Sequence, residues 1–205
     1  MRPWPRCILF GRFLTQSGNT PSGSVGRDER RRLFIGLRLP EDTLGRLEEW
    51  QHATFAGVRD VRIVPRENVH VTLAFLGHRP AGELEEITRS LRDAAAAASA
   101  PSLRLGRYRE TRSVGMLVFD DAERRASALA ADLHGRLETL GVYEREQRPW
   151  LPHVTVVRFR HPPRLRPELP DLGEVSPSEA AVYHSLLRRG GARYEALETV
   201  RLGGG

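Results

Sequence analysis

Two short stretches of this 205-residue chain constrain its fold more than anything else in it. The first reads Asn68-Val69-His70-Val71-Thr72-Leu73-Ala74-Phe75-Leu76-Gly77 and the second Pro152-His153-Val154-Thr155-Val156-Val157-Arg158-Phe159. Both are apolar, β-branched runs of strand length, and each sets a His and a Thr two residues apart with a valine between them. Successive strand side chains point to opposite faces, so each His–Thr pair shares one face while the intervening aliphatics turn toward a core. Polar groups repeated on one face of an apolar strand need partners or a ligand, because burying them alone is costly. With ten threonines in 205 residues, a given His meets Thr two positions on about once in twenty times, so the duplication argues against coincidence.

The surrounding pattern alternates between strand and helix. Residues 33–39 read as a strand stopped by Pro40, and Leu44, Leu47 and Trp50 follow at helical spacing. Glu41 and Asp42 suit the positive end of that helix. Residues 61–64 form a short strand before Pro65, and 69–76 a longer one ending at Gly77. Leu84, Ile87, Leu91 and Ala94 mark a second helix, ended by Pro101; 103–108 and 114–119 are strands. Leu129, Leu133, Leu137 and Leu140 line a third helix with Gly141 just past its end. Residues 154–159 form another strand, and 181–187 with 193–202 flank Arg188-Arg189-Gly190-Gly191 as a hairpin. Intermixed strands and helices make the fold α+β or α/β.

Residues 1–31 stand apart. They carry no acidic residue before Asp28 and include the turn-rich stretch Ser17-Gly18-Asn19-Thr20-Pro21-Ser22-Gly23-Ser24. This segment reads as a disordered or non-native extension, with an arginine-rich targeting leader as the alternative, and 32–205 as a single domain. The net charge of +6 follows the same division. Residues 1–32 hold seven Arg against Asp28 and Glu29, whereas the remaining 173 residues hold 25 Arg and 24 acidic residues. Bulk basicity is therefore no argument for a polyanionic partner of the body.

All 32 basic residues are arginine. Without lysine there is no Walker-A lysine, no Schiff base and no nucleotidyl-lysine intermediate. The single Cys7 excludes an internal disulfide and a cysteine-based zinc site, and suits a reducing, cytoplasmic setting. No apolar run approaches the ~20 residues needed to span a bilayer, so no membrane partner is expected.

If the two His–Thr pairs face one another across a groove, one imidazole can take a proton while the other supplies one. The threonine hydroxyls can hold two non-bridging oxygens of a phosphate between them. Such a site suits metal-free in-line attack on a cyclic 2′,3′-phosphate. A metal centre is the competing reading, but neither motif carries Asp, Glu or Cys beside its His.

These strands resemble the paired motifs of the 2H phosphoesterase superfamily, in its branch of RNA 2′,3′-cyclic phosphodiesterases, or 2′-5′ RNA ligases. Arg32-Leu33-Phe34-Ile35-Gly36-Leu37 with Pro40 resembles that branch's opening strand, and Pro65 through Gly77 its first motif block. Arg148-Pro149-Trp150-Leu151-Pro152 before His153 resembles the approach to its second block, and Ser185-Leu186-Leu187, Gly191 and Tyr194 its closing hairpin. The resemblance implies a bilobal α+β fold: two similar lobes, each an antiparallel sheet with outer helices, around a central cleft. It implies His70 as proton donor to the leaving 3′-oxygen, His153 as the base that activates water, and Thr72 and Thr155 as phosphate-holding residues. It implies no metal or other cofactor, and as partner an RNA with a 2′,3′-cyclic phosphate end, tRNA-derived ends among them, acted on by a monomer. The near-symmetric motifs themselves do not say which His is acid and which base. A small cyclic nucleotide as substrate and a non-catalytic RNA-end-binding module are the rival readings.

Further candidates are weaker. Arg158 follows the second motif and is a candidate RNA contact; simple alternation puts it on the face opposite His153 unless strand twist or a bulge near the site brings it round. Arg148, Arg160, Arg188 and Arg189 can contact RNA phosphates. Phe75, Trp150 and Tyr194 can stack a base, although aromatics in or beside strands are more often core. His52, His78, His134, His161 and His184 lack a Thr partner and read as surface or structural.

Overall fold

The structure is a computed structural model that describes residues 29–188 and 191–203; the expectations for residues 1–28 and for Arg189 lie outside the described residues. Its elements are β1 (Arg30–Arg38), α1 (Glu41–Phe55), β2 (Val61–Ile63), β3 (Val71–Pro80), α2 (Leu84–Ala97), β4 (Leu103–Glu110), β5 (Val114–Asp120), α3 (Arg125–Thr139), β6 (His153–Phe159), β7 (Glu174–Val175), β8 (Glu179–Arg188) and β9 (Gly191–Arg201). β1 begins at Arg30, two residues before the domain edge expected from composition.

The strands form one antiparallel sheet in the order β7-β4-β5-β6-β3-β1-β8-β9, with β2 added beside β6. The two lobes are thus two halves of a continuous curled sheet. Half A holds β3, β1, β8 and β9; half B holds β6, β5, β4 and β7. They join through a single partner pair, Val71 with Val154. Those valines are the central residues of the two His–Val–Thr motifs.

One face of the sheet is covered by helices. Leu33, Ile35 and Leu37 of β1, Val154, Val156 and Val157 of β6, and Ala180 and Val182 of β8 meet the helical stripes there. In α2 the stripe is Ile87, Leu91 and Ala94; in α3 it is Ala126, Leu129, Ala130, Leu133 and Leu137, the three- and four-residue spacing of an amphipathic helix. α3 stops as expected at Gly141, whose φ of +69° a side chain would resist and whose N–H reaches the Glu138 carbonyl. The crossover helices exchange halves: α1 follows β1 of half A yet packs on β6 and β2, while α3 follows β5 of half B yet packs on β3 and α2.

Two strand boundaries differ from expectation. β3 does not end at Gly77 but runs through it, at φ +70°, to Pro80, because β1 extends far enough to pair Arg30 with Pro80. β7 is a two-residue strand held only by its ladder to β4, too short to leave a periodic signal.

Candidate active site

The other face of the sheet is open, and both motifs lie on it. Counting outward from Val71–Val154 in antiparallel register sets His70 across from Thr155 and Thr72 across from His153. An approximate two-fold axis through that valine pair therefore relates the motifs. All four predicted residues converge where the halves join.

The rings are held alike. His70 Nδ1–H donates to the Asn68 carbonyl at 2.8 Å, and His153 Nδ1–H to the Leu151 carbonyl at 2.8 Å, each two residues back along the chain. This fixes one tautomer for both, leaving Nε2 as the free basic nitrogen. The Thr72 hydroxyl donates to His70 Nε2 at 3.1 Å. Burial pushes His70 down to about 4, with the charges of His153 and Arg158 adding to it and the Asn68 carbonyl opposing. Burial likewise lowers His153, as do the Arg148 and Arg109 cations, while the Leu151 carbonyl and Glu146 oppose. Burial thus favours the neutral form of both rings.

A bulge brings Arg158 round from the face that simple alternation gives it. In the β5–β6 ladder Gly115 pairs with Val157 and Met116 with Thr155, so Val156 is an extra, bulged residue. Val156 and Val157 are both buried while Arg158 is exposed, and Arg158 returns to the face of His153 and Thr155. β3 carries the same irregularity. Gly36 pairs with Thr72 and Ile35 with Ala74, so Leu73 is extra and Phe75, half exposed, comes round to the open face. Each motif thus continues one residue past its threonine into a bulge that re-aims a side chain, Phe75 in half A and Arg158 in half B.

Both bulge carbonyls are capped by buried polar side chains from the exchanged helices. Gln51 of α1 donates through Nε2 to the Val156 carbonyl at 2.6 Å and the Val64 carbonyl at 3.1 Å. His134 of α3 donates through Nε2 to the Leu73 carbonyl at 2.8 Å. His134 is therefore structural, as read from sequence. Trp150 is not a free stacking platform: its indole N–H donates to the Thr72 carbonyl at 2.9 Å and its ring packs on the main core.

Around His70 the wall is aromatic. Phe34 lies 4.6 Å from the imidazole, Tyr194 stands edge-on at 5.3 Å and Tyr183 is at 5.8 Å. Gly36 lies beneath: a Cβ there would come within 3.0 Å of His70 Cδ2 and 3.1 Å of the Val71 carbonyl oxygen. Asn68 Nδ2 donates to the Ala192 carbonyl at 2.7 Å, bringing the start of β9 against the turn that leads into His70. Around His153 the setting is cationic. Arg62 is the cross-strand partner of Arg158, and Arg148 is exposed and ion-paired to Glu146. Gly36, Asn68, Gln51, Arg62 and Arg109 were absent from the sequence candidates. Only Gly36 left a signal, since a glycine inside an apolar strand marks a close backbone approach. Among the described residues no group of three or more His, Cys, Asp or Glu is placed to hold a metal ion.

Known proteins share this fold. The family model of the 2′-5′ RNA ligase superfamily matches residues 39–192. An RNA 2′,3′-cyclic phosphodiesterase of Methanocaldococcus jannaschii is 22% identical over 176 residues, covering 82% of this chain and 98% of the relative. TT0787 of Thermus thermophilus superposes with a TM-score of 0.74 at 27% identity, covering 84% of this chain and 98% of that one. E. coli LigT in apo form gives a TM-score of 0.74 at 24% identity, covering 85% and 99%. With two His–Thr strands meeting at one valine pair, and a family match across most of its length, this chain belongs to the 2′-5′ RNA ligase (2H phosphoesterase) superfamily.

Proposed function

We propose that the protein hydrolyses RNA 2′,3′-cyclic phosphate ends to 2′-phosphates without a metal ion. The observation that carries this reading is the pair of imidazoles, locked in one tautomer on adjoining strands, each with a threonine on the same face. The phosphate sits between the motifs, its non-bridging oxygens on the Thr72 and Thr155 hydroxyls. His153 Nε2 removes a proton from a water that attacks phosphorus in line. The bond from phosphorus to the 3′-oxygen breaks, and His70, protonated in the occupied site, gives its proton to that oxygen. The arriving anion offsets the burial cost of the imidazolium, so the donor is charged only when substrate is present. Arg158 adds positive charge beside the phosphate. With a 5′-hydroxyl in place of water the same step joins two ends by a 2′-5′ linkage without ATP.

An oligoribonucleotide with a 2′,3′-cyclic end, offered in excess EDTA, tests the proposal. Turnover to a 2′-phosphate, identified by phosphorus NMR, is expected to persist. Loss of turnover in EDTA, or a 3′-phosphate product, contradicts it.

A further inference from the structure

The two-fold relation between the motifs does not extend to their outer neighbours, and the difference gives the bound strand a direction. In half B, Thr155 pairs with Met116, which pairs with Arg109; His153 pairs with Val118, which pairs with Arg107. Cross-strand partners share a face. Tyr108, between the two arginines, and Leu105, ahead of them across the irregularity at Gly106, pack on the helix-covered core, so Arg107 and Arg109 belong to the open face. Each stands two strands from a motif residue, roughly 10 Å away at the usual strand spacing. Both are exposed, and among the described residues neither joins an ion pair or a side-chain hydrogen bond. Arg109 is near enough for its charge to bear on His153.

The matching places in half A are different. Thr72 pairs with Gly36, which pairs with the buried Ala181; the next row outward runs through Arg38 to Glu179. Arg38 is already ion-paired to Glu179 at 3.3 Å. Where half B offers two uncommitted guanidinium groups, half A offers a methyl group and a carboxylate. Along these rows of the sheet a polyanion leaving the site finds uncommitted cations on the half-B side only; the open-face Arg32 of half A is stacked on Phe75 and donates to the Ser185 hydroxyl.

We infer that Arg107 and Arg109 form a phosphate-binding track, so that the RNA strand on the 5′ side of the cyclic end leaves the site across β5 and β4. The track makes a single-stranded oligoribonucleotide, rather than a cyclic mononucleotide, the favoured substrate. This inference rests on the cyclic phosphodiesterase reading. Arginines two apart on a strand project in parallel, about 7 Å from each other, and can hold successive backbone phosphates without reading sequence.

The test compares a 2′,3′-cyclic mononucleotide with a tetranucleotide carrying the same end. Arg107→Gln is expected to lower kcat/KM for the tetranucleotide roughly three- to tenfold and to leave the mononucleotide unchanged. The slope of log kcat/KM against log salt should become shallower by about 0.7, because one phosphate is left without its cation. Arg107→Lys should restore most of both, and Glu179→Gln in half A should change neither. Equal loss for both substrates, no loss for either, or a tetranucleotide effect in Glu179→Gln alone overturns the track. If the wild-type protein turns over neither substrate, the cyclic phosphodiesterase reading is what has failed. Anisotropy of a labelled tetranucleotide then reads the track directly, and an unaltered salt slope in Arg107→Gln overturns it.

Discussion

The two halves of the open face are the same device with different surroundings. In each, an imidazole donates Nδ1–H to the carbonyl two residues behind it, and a threonine follows on the same face. In each, an extra residue just past the threonine breaks the ladder, and a buried side chain from the opposite half's helix caps its carbonyl. What differs is the company: Phe34, Tyr183 and Tyr194 around His70, which also feels the Arg158 charge, but Arg109 and Arg148 near His153. Backbone duplication fixes the geometry of both motifs, while unlike neighbours give one half a dry wall and the other a cationic approach. Equal frames with unequal linings suit two proton-transfer groups that must act in opposite senses.

The frame predicts that neither half is dispensable. His70→Ala and His153→Ala should each lower kcat by at least about 10²-fold, with the double variant little worse than either single one. Retention of rate in one variant would make the halves unequal in function as well as in lining.

Gly36 and Met116 separate positioning from packing, because they are the partners of the two motif threonines. Gly36→Ala pushes a methyl group against the His70 ring and should cost roughly ten- to a hundredfold in rate with little change in stability. Met116→Ala removes a side chain that is 2% exposed and should do the reverse, losing about 2–5 kcal/mol in urea unfolding. Matching outcomes would mean that Gly36 serves packing alone.

The bulge caps permit the same comparison. Gln51→Leu takes the side-chain donor from the Val64 carbonyl, the Val156 carbonyl keeping the Val64 N–H, and His134→Leu takes it from the Leu73 carbonyl. Each should cost about 1–3 kcal/mol in urea unfolding. His134→Gln keeps an N–H donor and should recover most of the loss.

The motif strands were legible because a two-residue polar period inside β-branched runs has few explanations. The helices were legible because their stripes are regular. The face of Arg158 stayed open in the sequence because alternation assumes an unbroken ladder, and the extra residue is visible only in the pairing register of β5 with β6. Gln51 could not be singled out for a similar reason. A glutamine on an amphipathic helix looks solvent-facing until a crossover carries it over a bulged strand in the other half. Arg107 and Arg109 read as ordinary strand-surface arginines until the sheet order sets them two strands from the motif. Local chemistry was written locally, and the long-range pairings that aim it were not.

The smallest expected effect tells which half holds the proton. Burial depresses both histidines and so favours neutral imidazoles above pH 6.5, and an anion between the rings raises them again. Anion binding therefore takes up a proton and tightens as pH falls, by at most about tenfold per unit. Sulfate, which does not itself titrate in this range, should inhibit a few-fold more strongly at pH 6 than at pH 8. If His70 takes the proton, His70→Asn flattens that profile and His153→Asn leaves it sloping. The opposite pattern exchanges the acid and base roles between the halves. Linkage gives an independent check with the opposite consequence for the empty fold. With His70 lowered from 6.5 to about 4, the unfolded chain binds the proton more readily in that window. Stability is then complete above pH 6.5 and is lost as pH falls toward 4, and His70→Asn should remove that part of the acid sensitivity.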